Sequence, residues 1–314
     1  YIKDSFNHSL LNIISNLNEK TQEWSNVVML SRTHGQAAVP TTFGKEIQVF
    51  KYRLQEQLEL LNNIKHKSKF GGAVGNFNAH KAAYPNINWP QFGNDFLKTL
   101  DLDRSLYTTQ IDNYENLSVI FDNIKRINTI LIDMCRDIWT YISMDYLIQD
   151  FKITEVGSST MPHKINPINF ENAEGNLMLS VNLLEFLSRK LPISRLQRDL
   201  TDSTVLRNLG IVFGYCHIAY TNIINGLYKL KVNENVIKAD LNNNIVILTE
   251  GIQTLLRKYG VDNAYDKLKE LSRNNENLTK IKINEFIDSL DLTTEQKIEL
   301  KSITLENYVG FNFQ

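Results

Sequence analysis

The sequence has few cysteines, few prolines and almost no net charge. Its two cysteines, Cys135 and Cys216, form no CxxC pair, so neither a disulfide framework nor a cysteine zinc site is expected, and a reducing compartment, the cytoplasm, is indicated. The formal net charge of −1 gives no overall field that would recruit nucleic acid or an anionic membrane. No apolar run approaches the roughly 20 residues of a membrane-spanning helix. Neither nucleic acid nor a membrane is therefore expected as a partner.

The scarcity of proline leaves long stretches in which helices can continue. The six prolines leave 91–161 and 193–314 free of the strongest helix breaker. From Leu117 to Ile142 apolar residues recur every three or four positions, which predicts one helix of about 30 residues. The same spacing predicts further helices over 4–24, 44–66, 167–190 and 203–230. We therefore predict an all-α fold built on a bundle of long helices.

The helical pattern changes near residue 230, where shorter and more charged segments begin. These segments cover 234–258, 262–273, 281–290 and 293–302, and the last of them starts at Thr293 with a capping-box pattern. We predict a central long-helix bundle domain over 1–230 and a small helical C-terminal domain over 231–314.

Polar loops at the ends of long helices are the places where ligand sites form in such folds. Three irregular loops are expected, over 31–43, 71–90 and 191–203. In the first, His34 precedes a glycine that permits a sharp turn; it is either an acid–base group or, as is commoner for a lone histidine, simply exposed. The glycine run in the second loop lacks dinucleotide-binding spacing and indicates only a turn. No histidine spacing indicates a metal site.

The stretch from Gly157 to Pro167 concentrates two serines, a lysine, a histidine and an asparagine before a helix. Acyl transfer is weakly supported, because Ser158 and Ser159 lack the Ser-x-x-Lys and GxSxG spacings. Removal of a proton from carbon fits better, with Lys164 and Asn166 receiving charge on a neighbouring carboxylate. The alternative is a polar connector whose serines and asparagine only satisfy turn and cap amides. In either case Asn166 suits the N-cap of the following helix, and Pro167 suits its first position. The spacing leaves both alternatives open.

A second polar stretch runs from Arg198 to Arg207. Its pattern indicates an anion cradle at a helix start capped by Thr201 or Asp202, with serine and threonine hydroxyls nearby and Arg207 one turn on. A capped surface helix with a stray arginine explains the same residues, and spacing alone does not decide between the two.

The stretch Gly-Ser-Ser-Thr-Met-Pro-His-Lys-Ile-Asn-Pro resembles the GSSxMPxKxNP signature of the fumarase/aspartase superfamily of β-eliminating lyases. Further stretches make the whole chain resemble the adenylosuccinate lyase family, of the type found in enteric bacteria. They are Ser31–Gln36, Gly72–Asn76, Tyr107–Gln110, Phe170–Asn176 and Arg198–Leu209.

The resemblance implies a long-helix bundle that forms the core of a homotetramer, with active sites shared between three subunits. It implies elimination of fumarate from the nucleotide adenylosuccinate, giving AMP, and from the succinyl-carboxamide ribotide of purine synthesis. No metal or organic cofactor is implied.

The same resemblance assigns roles by position. It makes Ser158 the base that removes the β-proton, His34 the acid that protonates the departing nitrogen, and Glu171 the group that orients His34 across a subunit boundary. Lys164 and Asn166 would hold the carboxylate that takes up charge. The remaining substrate contacts would be Gln110, Ser159 and Asn172, with Arg198, Ser203, Thr204 and Arg207 on the phosphate.

One departure from the family stands out. Its Thr-Ser-x-Asp motif has no match before His34, so we expect the N-terminal domain to be missing from this chain. Two alternatives remain: another lyase of the superfamily, such as argininosuccinate lyase or fumarase, or a crystallin-like structural protein. The cradle at 198–207 argues against the other lyases, whose substrates carry no phosphate.

Overall fold

The computed structural model describes residues 2–150, 161, 164–273 and 278–311. After a π-helical turn at Ile2–Phe6, the first eight α-helices are α1 (Asn7–Glu23), α2 (Phe43–Asn63), α3 (Asn78–Ala83), α4 (Trp89–Lys98), α5 (Glu115–Ser143), α6 (Ile168–Lys190), α7 (Thr201–Leu206) and α8 (Leu209–Lys229). Then follow α9 (Glu234–Asn243), a 3₁₀ turn at Ile245–Ile247, α10 (Leu248–Lys258), α11 (Ala264–Arg273), α12 (Lys280–Ser289) and α13 (Thr294–Lys301). The predicted all-α fold class is confirmed.

Short strands occur between the helices, always as isolated pairs within the described residues. The first pair, β1 (Val28–Thr33) and β2 (Gln36–Thr42), is an antiparallel hairpin. The others are β3 (Lys67–Ser68) with β4 (Asp103–Arg104), in parallel, and β5 (Leu147–Gln149) with β6 (Leu230–Val232), antiparallel. The expectation of an irregular loop over 31–43 was therefore wrong.

The chain divides into two compact units. The first contains the described residues of 1–16, 50–140 and 151–229, and the second those of 17–49, 141–150 and 230–314. The division of the sequence into domains 1–230 and 231–314 stays a prediction.

The core of the first unit lies along α5, α6 and α8. The apolar periodicity of α5 becomes a buried stripe that includes Ile124, Ile127 and Leu131. Asn128 lies within this stripe and is fully buried. Its amide nitrogen donates to Ser180 Oγ on α6 at 3.1 Å, and its oxygen accepts a 2.7 Å hydrogen bond from Tyr220 on α8. The three helices are thus joined by a satisfied polar group as well as by apolar packing.

The approach of α6 to α8 depends on a glycine. A Cβ placed on Gly226 of α8 would lie 2.7 Å from Cζ of Phe170, whose ring is buried on the first turn of α6. Real side chains do not tolerate so short a separation. Gly226 therefore lets the start of α6 pack closely against α8.

The core of the second unit joins the hairpin to the C-terminal helices. Leu30 of β1 is buried with Leu241 of α9, Ile252 of α10 and Ile283 of α12. The predicted capping box at the start of α13 is present: Thr293 Oγ1 accepts from the N–H of Gln296, whose side chain accepts from the N–H of Thr293. In the described part of the chain, no helix has the length and apolar character needed to cross a membrane.

Candidate active site

His34 lies at the tip of the hairpin in the second unit. Thr33 pairs with Gln36, so the turn consists of His34 and Gly35 alone, with φ angles of 54° and 74°. Positive φ at both central positions is typical of the type I′ turn that matches strand twist. A non-glycine residue in this conformation costs of order 1 kcal/mol and is common at functional sites. The turn presents His34 as an exposed residue.

The end of the 157–167 stretch leads directly into α6. Ser158 and Ser159 lie outside the described residues. Lys164 is exposed, and its backbone N–H donates to the carbonyl of Met161 at 3.0 Å. The expected cap was wrong by one residue: Pro167 occupies the N-cap position, and the helix begins at Ile168. Proline cannot cap with a side chain, and its fixed φ suits the start of a helix.

Glu171 lies on the first turn of α6, beside a cleft of about 620 Å³. Trp139 of α5 donates its indole N–H to Glu171 Oε1 at 3.0 Å. Arg136 and Glu174, which form an ion pair at 2.7 Å, line the same cleft. The structure therefore places the carboxylate at a concave surface and fixes one of its oxygens. Nothing in the sequence pattern had distinguished Trp139 from a core tryptophan.

Asn172 belongs to a chain of amide side chains between α6 and α8. Its Oδ1 accepts hydrogen bonds from Asn176 Nδ2 at 3.0 Å and from Asn222 Nδ2 at 3.1 Å. Asn222 in turn accepts from Asn169 at 3.0 Å. The network fixes the orientation of the Asn172 amide, with its oxygen occupied by these donors.

The predicted anion cradle forms a loop followed by the short helix α7. The expected cap by Thr201 or Asp202 was wrong, because Leu200 occupies the N-cap position and makes no side-chain cap. Asp199 Oδ1 instead accepts from the backbone N–H of Thr201 at 2.8 Å and from its hydroxyl at 2.5 Å. These donors lower the pKa of Asp199 below its usual value. Ser203 follows in the first turn of α7, and Arg207 stands just after the helix, exposed.

Asp202 is buried and points inward instead of capping α7. It accepts a hydrogen bond from the Tyr114 hydroxyl at 2.8 Å and one from the backbone N–H of Ser203, also at 2.8 Å. Arg198 lies 4.0 Å from the same carboxylate. Burial and the Asp202 carboxylate together raise the pKa of Tyr114 to about 12. The buried Asp202 carboxylate therefore contacts both Arg198, at the start of the cradle, and Ser203, in its helix.

Gln110 lies beside the same loop. Its backbone N–H donates to the carbonyl of Gln197 at 3.2 Å, next to Arg198, and its carbonyl accepts from Lys69 Nζ at 2.7 Å. Lys69 also donates to the carbonyl of Gly72, and burial lowers its pKa. Lys69 was missed in the sequence, where no signal beyond its place before a glycine run marked it.

The glycine run, interpreted as a mere turn, packs against the Gln110 segment. Gly75 has a φ of 83°, and a Cβ there would lie 2.1 Å from the carbonyl oxygen of Thr108. Both the backbone angle and the close approach require glycine. The first unit thus brings together the 69–75, 108–110 and 197–207 segments.

Comparison with known protein families shows which family has this sequence and fold. Residues 2–180 match the family described as "Lyase", and residues 194–309 match the one described as "Adenylosuccinate lyase C-terminal". The chain belongs to the lyase family. This membership confirms the resemblance to the fumarase/aspartase superfamily seen in the sequence.

Several individual members of the lyase family are similar in sequence to this chain. Adenylosuccinate lyase of Dictyostelium discoideum is 52% identical over 303 residues, which cover 95% of this chain and 65% of the relative. The enzymes of Haemophilus influenzae and Escherichia coli strain K12 are each 47% identical over 298 residues, with the same coverage. The chain thus spans 65% of the length of these relatives.

A solved structure gives the same fold at low sequence identity. The 3-carboxy-cis,cis-muconate lactonizing enzyme of Pseudomonas putida superposes with a TM-score of 0.74 at 18% identity, over 98% of this chain and 69% of that one. The similarity supports the lyase-family fold of this chain.

Proposed function

We propose that this chain carries the adenylosuccinate lyase reaction, the elimination of fumarate from adenylosuccinate to leave AMP. By the same chemistry it would release fumarate from succinyl-aminoimidazole-carboxamide ribotide. The observation that carries the proposal is the 52% identity to an adenylosuccinate lyase over 95% of the chain.

The proposed reaction breaks one carbon–nitrogen bond. Ser158 removes the β-proton of the succinyl group, the electron pair forms the double bond of fumarate, and the departing nitrogen takes a proton from His34. The β-proton is weakly acidic, so its removal requires stabilisation of the charge that develops on the adjacent carboxylate. Lys164 and Asn166 are the cation and the amide donor assigned to that carboxylate. The exposed tip position of His34 suits a proton donor that meets its substrate from outside the hairpin.

The nucleotide end of the substrate is assigned to the first unit. Arg198 and Arg207 supply positive charge for the phosphate, and the hydroxyls of Ser203 and Thr204 supply hydrogen bonds. Gln110 is held beside this loop through its backbone, by the Gln197 carbonyl and by Lys69. With Ser159 and Asn172, these residues complete the proposed substrate contacts.

We further propose a homotetramer in which one chain's Glu171 orients another chain's His34. Exposed apolar residues on the long helices support association, since such surfaces in soluble proteins commonly mark interfaces. On α6, Leu179 and Phe186 lie seven residues apart, as do Ile211 and Ile218 on α8, and all four are at least 44% exposed. A seven-residue spacing places each pair on one stripe of its helix, as helix-to-helix packing requires.

The test is the absorbance change on adding adenylosuccinate to the protein expressed from its own gene. Argininosuccinate and malate are the controls, and a response to adenylosuccinate alone is expected. A response to either control instead would assign another lyase activity, and silence with all three would favour a structural role. Cys135 and Cys216 are buried free thiols, which suits the cytoplasm as the proposed compartment.

The role of Ser158 is tested separately. Ser158→Ala should lower kcat by orders of magnitude with little change in substrate affinity, because the base acts in the transition state and not in binding. Near-normal turnover of that variant would remove Ser158 from the mechanism.

A further inference from the structure

We propose that Asp240, on α9, is a positioning residue for His34. Its role in turnover rests on the proposed function, but the contact itself does not. Arg32 of β1, two residues before His34, donates from Nη2 to Asp240 Oδ2 at 2.6 Å. Neither sequence motif nor family resemblance had pointed to Asp240.

Two further side chains hold the Asp240 carboxylate in place. The hydroxyl of Tyr146, a residue that is 1% exposed, donates to the same Oδ2. Asn244, one turn further along α9, donates to Oδ1 at 3.2 Å. The ring of Tyr146 stacks on Tyr141 with an interplanar angle of 10°. Arg32 therefore binds a carboxylate that two further donors hold in place.

The environment explains why this ion pair matters more than an ordinary surface pair. Exposed pairs contribute little because both side chains must be ordered in competition with water. Here the side chains of Arg32 and Asp240 are 34% and 26% exposed, and the carboxylate is already ordered by Tyr146 and Asn244. Only the Arg32 side chain has to be ordered when the pair forms. The pKa of Arg32 is raised through the Asp240 hydrogen bond and charge despite the opposing effect of burial.

The Arg32–Asp240 contact lies close to the His34–Gly35 turn, so we expect its loss to affect the turn. At the base of the hairpin, Leu30 is buried in the same core cluster as Leu241, the neighbour of Asp240 on α9. A register shift separates Leu30 from Arg32, so the strand is irregular between its buried base and the turn. The Arg32–Asp240 pair lies beyond this irregularity, next to the strained His34–Gly35 turn. Loss of the pair would remove a side-chain contact that joins the turn end of β1 to α9.

The experiment compares Asp240→Asn with Asp288→Asn. The first keeps the shape of the side chain and removes the charge that binds Arg32. The second breaks a comparable pair, with Lys301 at 2.5 Å, in the same unit but on α12 and α13. Hydrogen exchange of peptides covering 28–42 should rise several-fold in Asp240→Asn and stay at the wild-type rate in Asp288→Asn. Unchanged exchange in Asp240→Asn would overturn the proposal, whatever the protein catalyses.

Kinetics distinguish positioning from general stabilisation. Asp240→Asn should lower kcat about 10-fold with KM changed less than about 2-fold, since small displacements of a catalytic group cost factors of 10 to 100. In a His34→Gln background the same substitution should lower kcat less than about 2-fold, because residues that act through one another are not additive. An undiminished 10-fold loss in that background would contradict a role through His34. If the wild-type protein does not cleave adenylosuccinate, the proposed function fails, and hydrogen exchange still decides whether Asp240 holds the hairpin.

Discussion

Replacement of Gly226 by alanine tests the packing that places the first turn of α6. Its Cβ would stand 2.7, 2.9 and 3.1 Å from three ring atoms of Phe170. Phe170 is 1% exposed, so its ring cannot move away from the methyl group into solvent. The matched control is Gly214→Ala, in the same helix, where a Cβ would meet no atom within 4 Å.

The two substitutions share one effect and differ in another. Both replace glycine in a helix interior, which stabilises the folded state by about 0.5–1 kcal/mol. Only Gly226→Ala forces a methyl group into a close-packed core, which typically costs about 1–3 kcal/mol. The unfolding free energies of the two variants should therefore differ by about 1–3 kcal/mol, with Gly226→Ala the less stable. Gly214→Ala should be at least as stable as the wild type.

The assay is urea unfolding followed by circular dichroism at one fixed protein concentration, because association adds to apparent stability. A Phe170→Leu variant supplies the internal check. In that background the alanine at 226 should cost less, since the smaller side chain leaves room for the methyl group. Equal unfolding midpoints for Gly226→Ala and Gly214→Ala would refute the close contact between α6 and α8.

Three further predictions concern side-chain hydrogen bonds. Tyr114→Phe removes the hydroxyl that donates to buried Asp202 and should lower the free energy of unfolding by about 1–3 kcal/mol, measured in urea. It should also weaken AMP binding. Unchanged stability would mean that water replaces the donor. Asp199 has a lowered pKa, so its hydrogen bonds from Thr201 stabilise the fold above the unfolded pKa of about 3.9, and this stabilisation is lost as pH falls through the folded pKa. The stability difference between the wild type and Asp199→Asn should therefore shrink below pH 4 in an acid titration, and a constant difference would contradict this reasoning. Trp139→Phe removes the indole donor to Glu171 and should lower kcat about 10-fold, with unfolding as the control; unchanged kcat would exclude the contact from the mechanism.

The long helices could be predicted because burial on one face leaves a periodic trace. In α5, Ile120, Ile124, Ile127, Leu131 and Met134 keep helical spacing and are all buried, so the sequence pattern and the structure agree. The sequence of the hairpin at 28–42 shows no comparable pattern. Its turn is His-Gly where Asn-Gly or Asp-Gly is the usual signal, and Pro40 argued against a strand although edge strands tolerate proline. Strand pairs this short are defined by their partners more than by their own composition.

Other parts of the site could not be read from sequence because they depend on distant partners. The apolar pattern predicted one continuous helix over 203–230, yet the helix breaks at Arg207–Asn208, where there is no proline or glycine. Asp202 was expected to cap a helix, but its partner Tyr114 lies 88 residues away in sequence. The Trp139–Glu171 and Lys69–Gln110 contacts are likewise 32 and 41 residues apart. Only the folded chain shows that these side chains meet.

The contacts that Asp240, Trp139 and Lys69 make to the candidate site should affect activity more than the stability of the fold. In each, a residue with no assigned catalytic or binding role supports a candidate site residue. Asp240 binds Arg32, two residues before His34. Trp139 donates its indole N–H to Glu171, and Lys69 donates to the backbone carbonyl of Gln110. The side chains of Asp240 and Arg32 are partly exposed, as is Trp139, so their loss removes little apolar burial, which dominates the free energy of folding. Gly226 is the opposite case, since it touches no reacting group and lies in the core. Variants of the first kind should therefore change kcat more than unfolding free energy, and Gly226→Ala should do the reverse.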